Sequence, residues 1–476
     1  MEGSSTPTGL AVTQPNSPGS SVFDLPIQPT NPAADASQTQ FPIADVDRRD
    51  FLPDVDQPSC ILISGGTGGN AICSAFVNAC YILPVSDDGG SSSEIIRVLG
   101  GPSIGDIRSR LVRLIPSAPA SSPSEAIRRL FAHRLSSKSS EREARDEWRD
   151  IVEGRSKLWK GIPSDRKETI RGFLVYFESE LLKRAHKNFD FRNGSIGNYF
   201  LAAAQGFFRS LPSAIFLFSS ITNSQAHILP VIVTNHTVTI AAELADGERL
   251  VGQCEISHPM PLDSPSEVID EETPVSPVDG LVEFESSPRQ NMLFESVSKG
   301  SYEPLPAHIQ RLYYINGYGM EIHPSPNGEF LSNLGSRDVL VYSCGSLWTS
   351  IIPCLALKGI ASAIARSHSL RAKVLLLNAE NDRETDGYTA ADYVRAIVQT
   401  LNSSYSERTF GLGSANTTYP ISAFITDLVY LKGSRIPVDV KAITAMGVRC
   451  REVEGETRFD ADAVALAMKQ VWTDVK

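Results

Sequence analysis

A cluster of glycines follows the first strongly apolar segment of the chain, in the order Ser64-Gly65-Gly66-Thr67-Gly68-Gly69-Asn70. Glycine lets a backbone approach a ligand closely, and the start of a following helix offers unpaired N–H groups that suit phosphate. We therefore predict that Gly65 to Asn70 bind a phosphate-bearing, nucleotide-like ligand. No Gly-Lys-Ser/Thr follows, so the loop is not a P-loop. A tight strand–helix turn without a ligand is the alternative.

Two adjacent carboxylates, Asp87 and Asp88, open a second polar loop that continues through Gly89-Gly90-Ser91-Ser92-Ser93. Neighbouring acids at a strand end suit Mg²⁺ that bridges phosphates, a hydrogen bond to ribose, or proton abstraction. We predict Asp87 and Asp88 as Mg²⁺ ligands and catalytic residues, with Ser91 and Ser92 as ligand contacts or helix caps. An ordinary Asp-Gly turn is the alternative.

Four further polar loops precede helices. Arg108, in Gly105-Asp106-Ile107-Arg108, suits bidentate phosphate binding, or pairing with a nearby acid. Each of the other three loops could serve only as a helix cap. Because such loops recur at successive strand ends, we favour a binding site. These loops are Asn193-Gly194-Ser195-Ile196-Gly197-Asn198, Cys344-Gly345-Ser346-Leu347-Trp348-Thr349-Ser350 and Glu384-Thr385-Asp386-Gly387-Tyr388-Thr389.

The elements that must position these loops alternate between strands and helices. Such alternation predicts an α/β fold with a mainly parallel sheet and helices on both faces. The segments 228–233 and 238–244 are expected to pair with each other. Strands are predicted over 60–64, 81–85, 228–233, 238–244, 309–315, 339–343, 373–378 and 423–429, and helices over 70–79, 93–99, 107–115, 196–208, 351–365 with a break at Gly359, and 389–401.

From its length and composition, the chain of 476 residues is expected to form one α/β domain with a tail and two insertions. Residues 1–58 are rich in Ser, Pro, Thr and Gln and predict a disordered tail, and 262–304 predicts a disordered acidic insertion. The α/β domain is expected over 59–450, with a charged helical insertion at 136–180 and a C-terminal helix at 451–476.

Charge and cysteine usage exclude several classes of protein. The formal net charge of −11, without a basic stripe, argues against a nucleic-acid partner. No apolar run reaches the ~20 residues that a membrane span needs. The seven cysteines are scattered without a CxxC pair, which indicates reduced thiols and a cytoplasmic location.

The ordered motifs GGTGG, VSDDGGSS, GDIRSRLVRL, NGSIGNYFLAA, CGSLWTSIIPCL and ETDGYTAADYVRA together resemble the CofD/YvcK-like family. This family contains the 2-phospho-L-lactate transferases and the bacterial gluconeogenesis factors. Gly66, Thr67 and Gly68 match its nucleotide loop, and Asp87 with Asp88 its acidic pair. The matches at its later turns are Ser195, Asn198, Gly345, Ser346 and Thr349.

This resemblance implies a Rossmann-like three-layer sandwich, often as a homodimer. The transferase branch uses Mg²⁺ to move a phospholactyl group from a guanosine-diphosphate-linked donor, whereas the gluconeogenesis-factor branch binds UDP-sugars as a regulator. The DDGGSS and GYTAAD elements are more similar to the second branch, although Cys344 stands where that branch usually has proline or glycine. The insertions and the tail indicate a eukaryotic relative.

Three functions follow as hypotheses. The first is a binder of a GDP- or UDP-type nucleotide-diphosphate-linked small molecule that acts as a Mg²⁺-dependent, 2-phospho-L-lactate transferase-like enzyme. The second is a non-catalytic UDP-sugar-binding regulator. The third is an NAD-binding Rossmann oxidoreductase, because Gly66, Gly68 and Ala71 fit GxGxxA and an acid, Asp87, follows at a suitable distance.

Overall fold

The computed structural model describes residues 57–65, 68–184, 186–258, 302–403, 418–455 and 457–476. The predicted tail and the predicted acidic insertion lie outside these ranges, except for 57–58 and 302–304. Gly66 and Thr67 of the glycine loop also lie outside the described residues.

The strands form two separate sheets. In chain order they are β1 (Cys60–Ile63), β2 (Ala79–Leu83), β3 (His227–Pro230), β4 (Thr239–Leu244), β5 (Arg249–Val251), β6 (Ile309–Ile315), β7 (Glu321–Ile322), β8 (Val339–Tyr342), β9 (Ala372–Leu376), β10 (Asp427–Leu431) and β11 (Arg449–Val453). Seven strands build a sheet in the order β11-β10-β9-β8-β1-β2-β3, and every neighbouring pair in it is parallel. Strands β1, β8 and β9 are buried at every residue, as expected when helices cover both faces of a parallel sheet. The predicted α/β class is confirmed.

The second sheet is antiparallel, with the strand order β5-β4-β6-β7. The predicted pairing of 228–233 with 238–244 is wrong. Strand β3 pairs with β2 in the main sheet, whereas β4 pairs with β5 and β6. Both segments have strand character, but β3 pairs with the distant β2, while β4 pairs with the next strand β5 and with the distant β6. Local sequence does not encode such a choice of partners.

Helices fill the connections. They are α1 (Gly90–Leu99), α2 (Gly105–Arg113), α3 (Pro123–Ala132), α4 (Glu141–Val152), α5 (Ser164–Leu182), α6 (Ile196–Phe208), α7 (Leu211–Thr222), α8 (Gln253–Ser257), α9 (Gly328–Leu334), α10 (Ile352–Leu355), α11 (Ile360–Ala365), α12 (Ala390–Asn402), α13 (Val440–Ala445) and α14 (Ala461–Val475). Across the described ranges, none of these helices is both long and apolar enough to span a bilayer.

The connection between β1 and β2 corrects a predicted helix. Instead of a helix over 70–79, the chain makes two short 3₁₀ turns, Gly68–Asn70 and Cys73–Ala75, and Ala79 already belongs to β2. Ile72 is buried as predicted, but within the two short turns rather than on one face of a helix. At the other end of the chain, 449–453 is a strand, so the C-terminal helix begins only at Ala461.

The charged insertion is helical, and its apolar side belongs to the core. Helices α4 and α5 bury Trp148 and Phe177, which contact each other edge to face at 5.8 Å between ring centroids. Phe177 also stacks on Tyr199 of α6 at 4.7 Å. The charged residues of these amphipathic helices therefore face solvent, while the apolar residues face the core.

A switch in chain direction creates the crevice where a ligand is expected. From β1 the chain moves outward through β2 and β3 on one side of the sheet, and it later returns to β8 on the other side. β1 and β8 are neighbours in the sheet, but the chain continues from β1 to β2 on one side and from β8 to β9 on the other. In open α/β sheets this is the position of ligand sites.

Candidate functional site

The glycine loop packs directly against the loop that follows β8. A Cβ atom at Gly68 would lie 2.9 Å from the carbonyl oxygen of Cys344, and one at Gly65 would lie 2.9 Å from Cβ of Ser350. Both glycines are therefore required by close approach of the backbone. Gly345 is held by Asn378, which accepts its N–H at 3.0 Å and donates to its carbonyl oxygen at 2.7 Å.

A buried arginine supports the glycine loop from below. The guanidinium of Arg110 donates to Oγ of Ser64 at 2.7 Å and to the carbonyl oxygen of Gly69 at 3.3 Å, and it lies 4.8 Å from the ring centroid of Tyr81. Only 1% of Arg110 is exposed, so this permanent positive charge lies beneath the expected phosphate position. Sequence reasoning missed it because Arg110 reads as one charge among several on a short helix.

Three carboxylates meet beside this loop. Asp87 accepts a hydrogen bond from the N–H of Gly89 at 3.1 Å, and Asp88 accepts one from the N–H of Cys254 at 2.8 Å. Burial, then the charges of Asp106 and Asp88, raise the pKa of Asp87 well above its ordinary value. Burial likewise raises the pKa of Asp88. The predicted acidic pair is thus extended by a third acid, Asp106, from the start of α2.

Glycines leave room for this acidic cluster. A Cβ at Gly105 would lie 2.8 Å from Oδ2 of Asp87 and 2.7 Å from Oγ of Ser92, and Gly252 packs against Oδ2 of Asp88. Across the described ranges, no three His, Cys, Asp or Glu side chains are arranged to hold a metal ion. A cation here would therefore take few protein ligands, as Mg²⁺ usually does when phosphates and water complete its shell.

The start of α1 is joined to α2 and α6 by polar contacts. The amide of Asn198 donates to Oγ of Ser91 at 2.8 Å, and its oxygen accepts from Nε of Arg108 at 3.1 Å. A Cβ at Gly197 would lie 3.0 Å from Cγ and Cδ of Arg108, so glycine lets the arginine pass. Burial, then the charge of Arg134, lowers the pKa of Arg108 to about 10.

A buried glutamate holds the turn that follows β8 through hydrogen bonds. One oxygen of Glu384 accepts the N–H groups of Trp348 and Thr349 at 3.0 and 3.1 Å. The other accepts the hydroxyls of Thr349 and of Ser257, the latter at 2.7 Å. Burial raises the pKa of Glu384 to about 8, although these hydrogen bonds oppose the rise. The hydroxyl of Thr349, predicted as a ligand contact, is thus engaged in the scaffold.

The structure brings most of the predicted residues to the carboxyl edge of the sheet, in two groups. The first group, called the loop side, consists of the glycine-loop residues that the structure describes, Gly345 and Ser346, and Glu384 with the turn that it holds. The acid side consists of the carboxylates and the start of α1. Asn70 donates to Oγ of Ser109 at 2.9 Å, and Oγ of Ser195 is buried without a hydrogen-bond partner. The residues of the acid side are Asp87, Asp88, Ser91, Ser92, Asp106, Arg108 and Asn198.

The fold and this arrangement define a doubly wound α/β protein with a candidate ligand site at the switch point of its parallel sheet. Residues 60–463 match the family model described as 2-phospho-L-lactate transferase CofD. The chain belongs to this family, which confirms the resemblance seen in the motifs. Family membership argues against the NAD-oxidoreductase hypothesis.

Proteins with similar sequences occur in yeast and in bacteria. The protein YNL011C of Saccharomyces cerevisiae is 35% identical over 453 residues, which cover 86% of this chain and 98% of the yeast protein. The gluconeogenesis factor of Bacillus subtilis is 23% identical over 402 residues, covering 82% and 89%. The crystal structure of protein BH3568 from Bacillus halodurans superposes with a TM-score of 0.54 at 19% identity, covering 87% and 99% of the two chains, and shows the common fold.

Proposed function

We propose that this protein binds a nucleotide-diphosphate-linked small molecule at the switch point and transfers a phosphorus-containing group from it. The observation that carries the proposal is the cluster of Asp87, Asp88 and Asp106 beside the glycine loop. No lysine or arginine of the described residues forms a salt bridge with Asp87 or Asp88. Like charges held close together are costly, and a metal-bound diphosphate would offset that cost.

The donor set fits Mg²⁺, because carboxylate oxygens are its usual protein ligands. Asp87 and Asp88 would hold the ion, and the ion would offset charge that develops on the phosphates during transfer. The glycine loop would contact the diphosphate, and Arg108 would contact one of its oxygens.

Asp87 is also the residue best suited to accept a proton from an acceptor hydroxyl. Burial, then the charges of Asp106 and Asp88, raise the pKa of Asp87 above its ordinary value, and a carboxylate with a raised pKa is a stronger general base. Ser91 and Ser92 lie at the start of α1, where helix N–H groups favour a negative group. In keeping with the resemblance, the proposal includes a homodimer that acts in the cytoplasm.

The test is incubation of the full chain with GDP-linked or UDP-linked donors, Mg²⁺ and candidate hydroxyl acceptors, followed by chromatography of the nucleotides. The proposal expects release of a free nucleotide that requires Mg²⁺ and disappears in Asp87→Asn. Absence of release from every donor, although the donor binds, would exclude catalysis.

One observation favours a second function, a non-catalytic UDP-sugar-binding regulator. Asp88 is fixed by the N–H of Cys254 and walled in by Gly252, which leaves it little freedom for chemistry. Bacterial relatives are named gluconeogenesis factors, which supports this alternative. It expects strong thermal stabilisation by UDP-sugars without turnover, and an affinity that Asp88→Asn leaves largely intact without a metal. Turnover with any donor would exclude it.

A further inference from the structure

A second cavity, separate from the crevice, lies between α1, α5 and α6. It encloses about 610 Å³, counting its open mouth, which is within the range of small-molecule sites. The buried part of its lining is apolar and includes Ile95, Phe177, Ala202 and Ala203. The part that solvent reaches is polar and includes Tyr176, Glu180, Arg184, Gln205, Arg209 and Asn235. An apolar surface with a few polar groups around it is typical of a site for a small organic molecule.

Both α1 and α6 begin in the crevice and run to the second cavity. Ser91 and Asn198, at the starts of the two helices, share a hydrogen bond of 2.8 Å. Leu99 and Gln205, toward the other ends of the same helices, line the second cavity. At 1.5 Å per residue, these two pairs of residues are separated by about 12 and about 10 Å along the helix axes. The second cavity is therefore a neighbour of the crevice and not a part of it.

Arg209 brings a positive charge to the lining of the second cavity. It ends α6 with a φ of 55°, a left-handed conformation in which glycine is usual at a helix end. Its carbonyl oxygen accepts Nδ2 of Asn235 at 2.9 Å, but its guanidinium forms no salt bridge or hydrogen bond with a described residue. Arg184, also in the lining, is by contrast paired with Glu180 at 3.0 Å. The charge of Arg209 is thus available to a bound anion.

Two further polar groups of the lining can take part in binding. The ring of Tyr176 is held edge to face against Phe207 at 5.7 Å between centroids, and its hydroxyl has no hydrogen-bond partner among the described residues. Nε2 of Gln205 donates to Oδ1 of Asn235 at 3.1 Å, which fixes the orientation of that amide. Beside Arg209, a phenol hydroxyl that can donate a hydrogen bond favours a carboxylate.

Phe177 connects the second cavity to the crevice through packed side chains. It lines the cavity and stacks on Tyr199 at 4.7 Å between ring centroids. Tyr199 is buried and follows Asn198 in the chain, and Asn198 donates to Ser91 in the crevice. Packed side chains and rigid helices carry energetic coupling between sites. A ligand in the second cavity would therefore act on the acid side of the crevice.

We infer that the second cavity binds a small organic carboxylate with an apolar body, and that its occupancy changes the affinity of the crevice for its own ligand. The apolar body would lie on Phe177 and the neighbouring apolar residues, and Arg209 would bind the carboxylate. The regulatory part of this inference rests on the proposed function, whereas the carboxylate site stands without it.

The test of the carboxylate site compares three probes with one skeleton: 3-phenylpropanoate, 3-phenylpropan-1-ol and 3-phenylpropylamine. Isothermal titration calorimetry of the full chain should show the carboxylate binding about tenfold more tightly than the alcohol, because a hydrogen bond to a charged group is the stronger one. Equal binding of carboxylate and alcohol, preference for the ammonium, or binding of none of the three would overturn the inference.

Substitutions of Arg209 test which side chain gives the preference. Arg209→Gln should abolish the preference for the carboxylate, and Arg209→Lys, which keeps the charge, should retain part of it. Arg366→Gln is the matched control, because Arg366 is also an exposed arginine at the end of a helix, α11, and does not line the cavity. An undiminished preference in Arg209→Gln would overturn the assignment.

A variant that fills the cavity locates the probe. A Cβ at Gly206 would meet, within 4 Å, Cε1 of Tyr176 at 3.8 Å, so Gly206→Leu can be accommodated and would occupy the cavity. It should weaken all three probes at least about tenfold and keep the melting temperature of the wild type. Unchanged binding in Gly206→Leu, or loss of carboxylate binding in Asp87→Asn, would place the probe elsewhere and overturn the inference.

Titration of UDP and GDP in the presence of Mg²⁺, with and without saturating 3-phenylpropanoate, tests the regulatory part. The affinity for the nucleotide should change by about fivefold or more, and the change should disappear in Arg209→Gln. An unchanged affinity would overturn the regulation and leave the carboxylate site in place. Failure of every nucleotide to bind would contradict the proposed function and the regulation with it, while the three probes would still decide on the carboxylate site.

Discussion

The loop side and the acid side of the crevice both bury carboxyl groups, but they treat them in opposite ways. On the loop side, the two oxygens of Glu384 accept four donors from two other segments of the chain. On the acid side, Asp87 accepts one backbone N–H and otherwise faces Asp106 and Asp88. Burial raises the pKa of Glu384 and of Asp87 alike, so a shifted pKa alone does not distinguish structure from function.

What distinguishes the two sides is how each carboxyl group is paired. Glu384 joins the turn after β8 to α8, and its hydrogen bonds are complete, so it serves the scaffold. On the acid side, Asp87 and Asp88 lie beside Asp106, and neither of the two forms a salt bridge with a described lysine or arginine, an arrangement that proteins tolerate chiefly where a ligand or metal is bound. The difference predicts that mutations on the loop side cost stability, whereas mutations on the acid side cost binding.

The largest loss of stability is expected for Glu384→Ala. This change leaves the N–H groups of Trp348 and Thr349 buried without an acceptor, at about 4 kcal/mol of unfolding free energy for the pair. Glu384→Gln is the matched control, because its oxygen can accept both N–H groups and its amide can donate to Ser257. Chemical denaturation of the three proteins measures the difference. If Glu384→Gln lost as much unfolding free energy as Glu384→Ala, Glu384 would act through its charge.

For Gly69→Ala we expect a smaller loss of unfolding free energy, about 2 kcal/mol, because the added methyl group overpacks a buried site. The added Cβ would meet Oγ of Ser64 and lie 2.8 Å from Nη2 of Arg110. Gly206→Ala is its control, since the nearest atom there is Cε1 of Tyr176 at 3.8 Å and alanine favours the helix. Thermal denaturation should separate the two variants. Equal melting temperatures would contradict the close packing of the glycine loop.

Asp87→Asn should raise the free energy of unfolding, by about 1 kcal/mol, because it removes one of three adjacent like charges. The asparagine oxygen can still accept the N–H of Gly89. The same denaturation measurement applies, at neutral pH and without divalent ions. A clear destabilisation would mean that Asp87 serves the scaffold as Glu384 does.

Glu384 should also make the stability of the protein depend on pH. The pKa of Glu384 is about 8 in the folded protein against an ordinary value of 4.5, so the folded state holds the proton more tightly. Its contribution to stability is therefore present at low pH and is lost as pH rises toward 8, by at most about 1.4 kcal/mol per pH unit. Glu384→Gln should flatten this decline between pH 5 and 8 in denaturation experiments. An unchanged slope would show that Glu384 is ionised throughout.

Sequence predicted the parallel sheet and the position of the acidic pair, because fully apolar runs such as Cys60–Ile63 end in glycine and acid-rich loops. Carboxyl ends of parallel strands share one edge, and this rule predicted that the loops with Asp87 and Gly345, which follow β2 and β8, lie at the same edge. It did not reveal the pairing of Glu384 with Ser257, since 127 residues separate them and neither belongs to a periodic pattern.

Local patterns failed where tertiary context decides. The spacing of Ile72 and Phe76 suits one helix face, yet the chain makes two short 3₁₀ turns before β2 begins at Ala79. Arg110 gave no signal because it is one charge among several on α2, and only the folded chain places it against Ser64 and Gly69.

The central claim is that Asp87 and its neighbours hold a ligand through Mg²⁺. Calorimetric titration of UDP and GDP into the wild type and Asp87→Asn, with and without Mg²⁺, tests it most directly. The account predicts that Mg²⁺ tightens one nucleotide at least about tenfold in the wild type, and that Asp87→Asn keeps the metal-free affinity but loses this gain. Tight binding that Mg²⁺ does not alter, or the same Mg²⁺ gain in Asp87→Asn, would contradict it.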